Sequence, residues 1–358
     1  MDRHLFAAAV IAMAATTSAH AEFKLGGEVI LGWGSAGVED GAYGLGTLDG
    51  TYTTTFDNGW DLDGLLRLNL RSFQDEIDYL DDNHVDFRAT LDMKEWGKLE
   101  AGSFKPWENR PFADGDWFNR GGFNVYMGTA PAYRDVFASK AARASDGTVY
   151  KVFPDAYLRY DNKLGPVGLT VTLDPLRRYG PFHADDMLDE QPWGDAKLEY
   201  GFGRNGVFLQ GNNLGDLVLG ARVVAGDFML MGLRQMREGK WTWYRDQYLA
   251  FYNAPKGNAL RLKSIGMGFS DMRNPYLHDH IGIFGLNFGT EQWELKFGAD
   301  TQGGLALEGR YGVTEKLDLF AGWDNGYGYY EGFDDAYEPP VSVPERGGAF
   351  ELAMRYRF

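Results

Sequence analysis

Polar and apolar residues alternate along many stretches of the chain. From Asp61 to Arg71, the residues Asp61, Asp63, Leu65, Arg67, Asn69 and Arg71 share one parity, and Leu62, Gly64, Leu66, Leu68 and Leu70 the other. From Val85 to Lys94, the set Val85, Phe87, Ala89, Leu91 and Met93 interleaves with Asp86, Arg88, Thr90, Asp92 and Lys94. The same period recurs at Ala196–Tyr200, Leu260–Lys263, Trp293–Phe297 and Leu305–Arg310. Successive side chains of a strand point to opposite faces, so each stretch predicts a strand with one apolar and one charged face. Segments of ~9–12 residues exceed the ~5–6 usual in a soluble sandwich and match a strongly tilted bilayer crossing.

Connections alternate in length. Tight links with Gly, Asn, Asp and Lys turn chemistry fall at Asp57-Asn58-Gly59, Trp96-Gly97-Lys98, Asn162–Gly165 and Gly203–Gly206, and again at Ala225-Gly226-Asp227, Lys256-Gly257-Asn258, Gly289-Thr290-Glu291 and Val313-Thr314-Glu315. Between them lie longer stretches read as loops: Ser35–Thr47, Phe73–Asn83, Lys105–Pro154, Asp174–Pro192, Arg237–Arg245, Ser270–His278 and Asp324–Arg346. Short turns at one end and long loops at the other predict an all-β, transmembrane antiparallel β-barrel. Only a closed sheet leaves no unpaired backbone edge in hydrocarbon. About eighteen segments qualify as strands. Gly194–Asn212 reads equally as a hairpin inside a loop or as two strands of the wall.

Composition narrows the class. The chain has 358 residues with 48 Gly, 15 % aromatics and no Cys, which excludes disulfide scaffolds and zinc–thiolate sites. A net charge of −16 argues against a nucleic-acid partner, which would call for a basic footprint. At the start, Arg3 is followed by an apolar run from Leu5 to Ala15 and then by Ala19-His20-Ala21, a small-x-small cleavage pattern. Residues 1–21 are therefore expected to be a signal peptide, and 22–358 the barrel. The run is too short for a spanning helix, which takes ~20 apolar residues.

Several stretches together resemble a general, non-specific porin of the Gram-negative outer membrane, over essentially the whole of 22–358. They are Phe23-Lys24-Leu25-Gly26-Gly27-Glu28, the pairing of Leu48–Phe56 with Asp61–Arg71, and Gly97-Lys98-Leu99-Glu100-Ala101-Gly102 before a very long third loop. Leu317–Gly322 and the final strand Phe350–Phe358, with aromatics at alternate positions and a terminal Phe, complete the set. The resemblance implies 16 strands, with 18 the alternative, and a third loop (105–154) folded into the lumen. It implies passive diffusion of ions and small polar solutes across the outer membrane, a homotrimer, and Phe358 as the signal read by the assembly machinery. The small residues Gly26, Gly27 and Gly32 on the first strand are candidates for close packing between barrels.

On this resemblance, the constriction sets a basic wall of Arg67, Arg71 and Arg88 against the loop acids Glu108, Asp114 and Asp116. Each arginine is equally well read as a residue solvated by a wet lumen, and Asp114-Gly115-Asp116 as a turn. Trp33, Trp60, Trp96, Trp293, Trp323, Tyr311, Tyr356 and Phe358 lie near strand ends, where interfacial girdles form. The alternative is a substrate-selective, sugar-type porin stacking solutes on Trp107, Trp117, Phe118, Trp241, Trp243 or Tyr244. Enzymatic chemistry has little footing. No nucleophile elbow or HExxH occurs, and His278-Asp279-His280 alone is a thin metal site, so a barrel-based hydrolase is the remotest reading. No cofactor is expected. Acidic loop blocks at 75–82 and 185–190 are candidates for Ca²⁺ or Mg²⁺ bridging to lipopolysaccharide and outer-membrane lipid.

Overall fold

The computed structural model describes residues 21–36, 39–73, 84–102, 157–174, 193–212, 216–237, 243–273, 278–301, 305–324 and 349–358. These form eighteen strands: β1 (Glu22–Ala36), β2 (Glu39–Thr55), β3 (Asp61–Phe73), β4 (His84–Asp92), β5 (Lys98–Gly102), β6 (Tyr157–Leu164), β7 (Val167–Asp174), β8 (Trp193–Phe202), β9 (Asn205–Asn212), β10 (Asp216–Ala225), β11 (Phe228–Arg237), β12 (Trp243–Asn253), β13 (Leu262–Arg273), β14 (His278–Gly289), β15 (Trp293–Asp300), β16 (Leu305–Gly312), β17 (Leu317–Asp324) and β18 (Ala349–Arg357). Every strand pairs antiparallel with its sequence neighbours, and β1 pairs with β18 from Glu28↔Arg357 to Ala36↔Ala349. The sheet closes on itself and has no free edge.

Eighteen strands correct the expected sixteen. The open stretch Gly194–Asn212 is a wall hairpin, β8 and β9, paired from Asp195↔Asn212 to Phe202↔Asn205. Its two faces explain why it fits there. Leu198, Tyr200, Val207 and Leu209 stand on the exterior, 42–51 % exposed, while Gln210 is buried on the other face. The first predicted loop is also corrected. Most of Ser35–Thr47 is strand, with β1 and β2 paired out to Ala36↔Glu39.

The period-2 pattern becomes an inside and an outside. On β18, Phe350, Leu352, Met354 and Tyr356 are 38–50 % exposed, whereas Ala353 between them is 7 % exposed. A belt of half-exposed Leu, Val, Phe and Tyr around the wall would be an aggregation hazard in water, and it is the surface hydrocarbon accepts. Aromatics cluster at both rims: Phe228 against Tyr252 at 4.7 Å on the short-turn side, Trp33 against Phe350 at 6.2 Å on the loop side. Strands ~4.8 Å apart and tilted ~40° put eighteen of them on a circle roughly 36 Å across. Side chains cannot fill that width.

The short turns hold positive-φ glycines where hairpins reverse. At Gly97 (φ 89°) any Cβ would run into the Asp161 carbonyl of the neighbouring strand. The lumen face is not polar throughout. Val218 on β10, Met229, Met231 and Leu233 on β11, and Leu249 and Phe251 on β12 face inward and are at most 9 % exposed.

Candidate functional site

The lumen wall is built by the polar parity of the strands. On β2 and β3, Arg67 Nε and Nη2 donate to both carboxylate oxygens of Asp49, at 2.7 and 2.8 Å. On β5 and β6, Glu100 accepts from the Tyr157 hydroxyl at 2.6 Å and from Thr90 Oγ1 at 3.2 Å. Arg159 is forked onto Asp161 at 2.6 and 2.8 Å, and Thr170 donates to the same carboxylate. Further round, Lys197 lies 3.1 Å from Glu199 and 4.9 Å above the Phe208 ring. Glu294 takes Asn287 at 2.7 Å and Lys263 at 3.4 Å, and Lys296 stands 3.6 Å from Glu308.

The last three strands depart from this one-to-one matching. Asp318, on β17, is 3 % exposed and faces Arg310 of β16 and both Arg355 and Arg357 of β18 at 3.3, 2.8 and 2.7 Å. At the short-turn rim, Lys94 donates to Asp61, whose other bond comes from Thr55 Oγ1. That partner holds the Lys94 ammonium above its ordinary range.

Among the residues expected to line the constriction, Arg67 and Arg88 sit on the lumen side of neighbouring strands, in register with Asp86 and Leu65 respectively. They differ in chemistry. Arg67 is neutralised by Asp49, while Arg88 makes no ion pair or hydrogen bond among the described residues. Arg71 occupies a β3 position opposite Leu45. Glu108, Asp114 and Asp116 lie outside the described residues, as do Trp107, Trp117, Phe118, Trp241 and the acidic blocks at 75–82 and 185–190. Among the described residues no group of three or more His, Asp or Glu is placed to hold a metal ion.

The terminal Phe358 is seated on a glycine. Its N–H donates to the Gly27 carbonyl at 3.1 Å, and its ring lies where a Cβ on Gly27 would come within 2.8 Å. Of the three small residues on β1, Gly27 shares the exterior parity with Leu25 and Val29, whereas Gly26 and Gly32 share the inward parity of Ile30. Gly26 and Gly32 are thereby removed as contacts between barrels.

Sequence reasoning missed the Asp318 hub, the Tyr157–Glu100 pair and the apolar lumen strip. Asp318 was quoted only inside Leu317–Gly322, yet its parity beside Arg355 would have placed it. The strip left no signal, because Phe228-Met229-Leu230-Met231 is apolar at both parities.

Comparison with known proteins bears on the fold. No family model matches the chain, and no curated protein does. Two structures of Rhodopseudomonas blastica porin variants match at 10 and 11 % identity with TM-scores of 0.51 and 0.52, each over 94 % of this chain and 100 % of theirs. A third, described under "asymmetric conductivity of engineered proteins", matches at 10 % identity and a TM-score of 0.53 over the same shares. At such identities the likeness is one of fold alone: the closed antiparallel barrel of this chain resembles the fold of those porins.

Proposed function

We propose that the protein is a passive diffusion channel for ions and small polar solutes in the outer membrane of a Gram-negative bacterium. The observation that carries this reading is a closed wall with an apolar exterior and a ring of ion-paired side chains facing a lumen too wide to fill. On this reading residues 1–21 are a cleaved signal peptide, the functional unit is a homotrimer and the protein is no enzyme. Residues 105–154 are the inward-folded constriction loop. Glu108, Asp114 and Asp116 would then face the wall of Arg67, Arg71 and Arg88, of which Arg88 makes no ion pair among the described residues. Phe358 on its glycine seat is the proposed assembly signal. Reconstituted into planar bilayers and liposomes, the protein is expected to give stepwise conductance and swelling in small sugars. A folded protein giving neither overturns the proposal.

A further inference from the structure

We infer that the short-turn mouth of the lumen carries an oxyanion-binding station formed by Arg310, Arg355 and Arg357 around Asp318. The inference rests on the channel reading for where solutes pass, but the geometry of the station stands apart from it.

Three guanidinium groups converge on one carboxylate. Arg355 Nε and Nη2 and Arg357 Nη2 all donate to Asp318 Oδ2, at 3.2, 2.8 and 2.7 Å, and Arg310 Nε stands 3.3 Å from Oδ1. The carboxylate is nearly inaccessible, while the arginine side chains keep 31, 21 and 41 % exposure for Arg310, Arg355 and Arg357. Asp318 therefore sits at the back, and the guanidiniums lie between it and the lumen. A guanidinium offers five N–H donors, and a carboxylate accepts about four bonds in all. Beyond the Asp318 contacts, Arg310 Nη2 gives one bond to the Glu291 carbonyl at 3.1 Å. Most of the donors thus remain for solvent or solute. Arg355 is also held over the Phe320 ring at 4.9 Å, which fixes its plane.

The local charge does not cancel. Neighbouring lumen carboxylates already have partners: Glu294 is bonded by Asn287 and Lys263, and Glu308 stands beside Lys296. Glu294 itself stands opposite Arg310 in register on β15, and Glu28 stands opposite Arg357 on β1. With Glu294 and Glu308 set against Lys263 and Lys296, the three arginines face Asp318 and Glu28. Arg159 and Arg67 elsewhere on the wall each have a carboxylate partner of their own, Asp161 and Asp49. Planar, always-charged forks with spare donors suit phosphate, sulfate and carboxylate groups, which they bind bidentately.

The station lies at the rim opposite the long loops, since Asp318 is the second residue after the 313–316 turn and Arg357 is the last residue of β18. A multivalent oxyanion should therefore meet it from one side of the membrane before the other. The test is single-channel conductance with inorganic pyrophosphate in one chamber, then in the other. We expect block from one side at a concentration about tenfold lower than from the other, and loss of that difference in the double variant R355Q/R357Q. Glu28→Gln, which leaves all three arginines in place, should lower the blocking concentration further. Calorimetric titration of pyrophosphate into the detergent-solubilised protein reads binding without transport. Equal block from both chambers, with no heat of binding altered by R355Q/R357Q, overturns the station and leaves the channel standing. Arginine-dependent binding without conductance would instead overturn the channel reading.

Discussion

The assignment of an apolar exterior and a wet lumen makes a quantitative prediction at Met354. This residue is 39 % exposed on the outer face of β18, four positions from Phe358 at the short-turn rim. Four residues at ~3.4 Å, inclined ~40°, raise it about 10 Å above that rim, close to the middle of a ~25 Å apolar band. Met354→Arg places a guanidinium there, at a cost of about 2–4 kcal/mol for a lipid-facing arginine near the midplane. The matched control is Thr51→Arg on the lumen side of β2, in register with Leu65, where water solvates the new charge. Its expected cost is under about 1 kcal/mol, the range of an exposed substitution outside the core. Reversible urea unfolding in lipid vesicles, read by tryptophan fluorescence, gives both numbers. Equal penalties at the two sites, or the larger one at Thr51, would mean that the faces are assigned the wrong way round.

Asp49→Asn takes one negative charge off the wall beside Arg67, and reversal potentials in a salt gradient should move toward anions; no movement would show that this pair does not face permeating ions. Gly27→Val drives side-chain atoms into the Thr47 carbonyl of β2 and within about 3 Å of the Phe358 ring, and overpacking of that kind costs about 1–3 kcal/mol or more. The heat-modifiable folded band on a gel should form more slowly, whereas Gly26→Ala, on the inward parity, should leave its rate unchanged. The net charge of −16 predicts cation preference at low salt that declines as ionic strength rises; anion preference in the wild type at low salt refutes it.

Much of the wall was legible in the sequence because two constraints act on every strand at once. Hydrocarbon outside and water inside force opposite chemistries onto the two parities, so Asp61–Arg71 and Val85–Asp92 could be assigned a face residue by residue. Where one constraint lapses, so does the signal. Along β11 a second apolar surface lies inside the barrel, and both parities become Met, Leu and Phe. The strand number failed for a related reason: Gly194–Asn212 has the pattern of a wall hairpin, but the resemblance to sixteen-stranded barrels argued against reading it as one. The limits of β1 and β2 were hidden by Gly41, Gly44 and Gly46, turn-like residues that sit within the paired strand. Among the site residues, lumen position was readable from parity, but pairing was not. Asp49 neutralises Arg67 through cross-strand register, and register is a long-range property that no local spacing encodes.

That distinction decides where selectivity can reside. A carboxylate forked onto a guanidinium under 3 Å away presents a small dipole to a solute in a wide lumen, and its field falls off faster than that of a single charge. Arg67 on Asp49 and Arg159 on Asp161 are built this way, and Lys197 beside Glu199 is a looser pair of the same kind. Such pairs keep the wall wet without favouring either sign of ion. Unmatched charge acts as a monopole, felt out to a Debye length of ~8 Å at physiological salt. Among the described residues, the places where pairing is incomplete are therefore the ones that can sort ions: Arg88 on the wall, and the arginines around Asp318 at the short-turn rim. Counting arginines along the polar parity overstates the basic wall, because it weighs Arg67 and Arg88 alike. Among the described residues Arg88 is therefore the stronger determinant in the intact wall, whereas charge removal at Arg67 acts by freeing Asp49 as a new monopole.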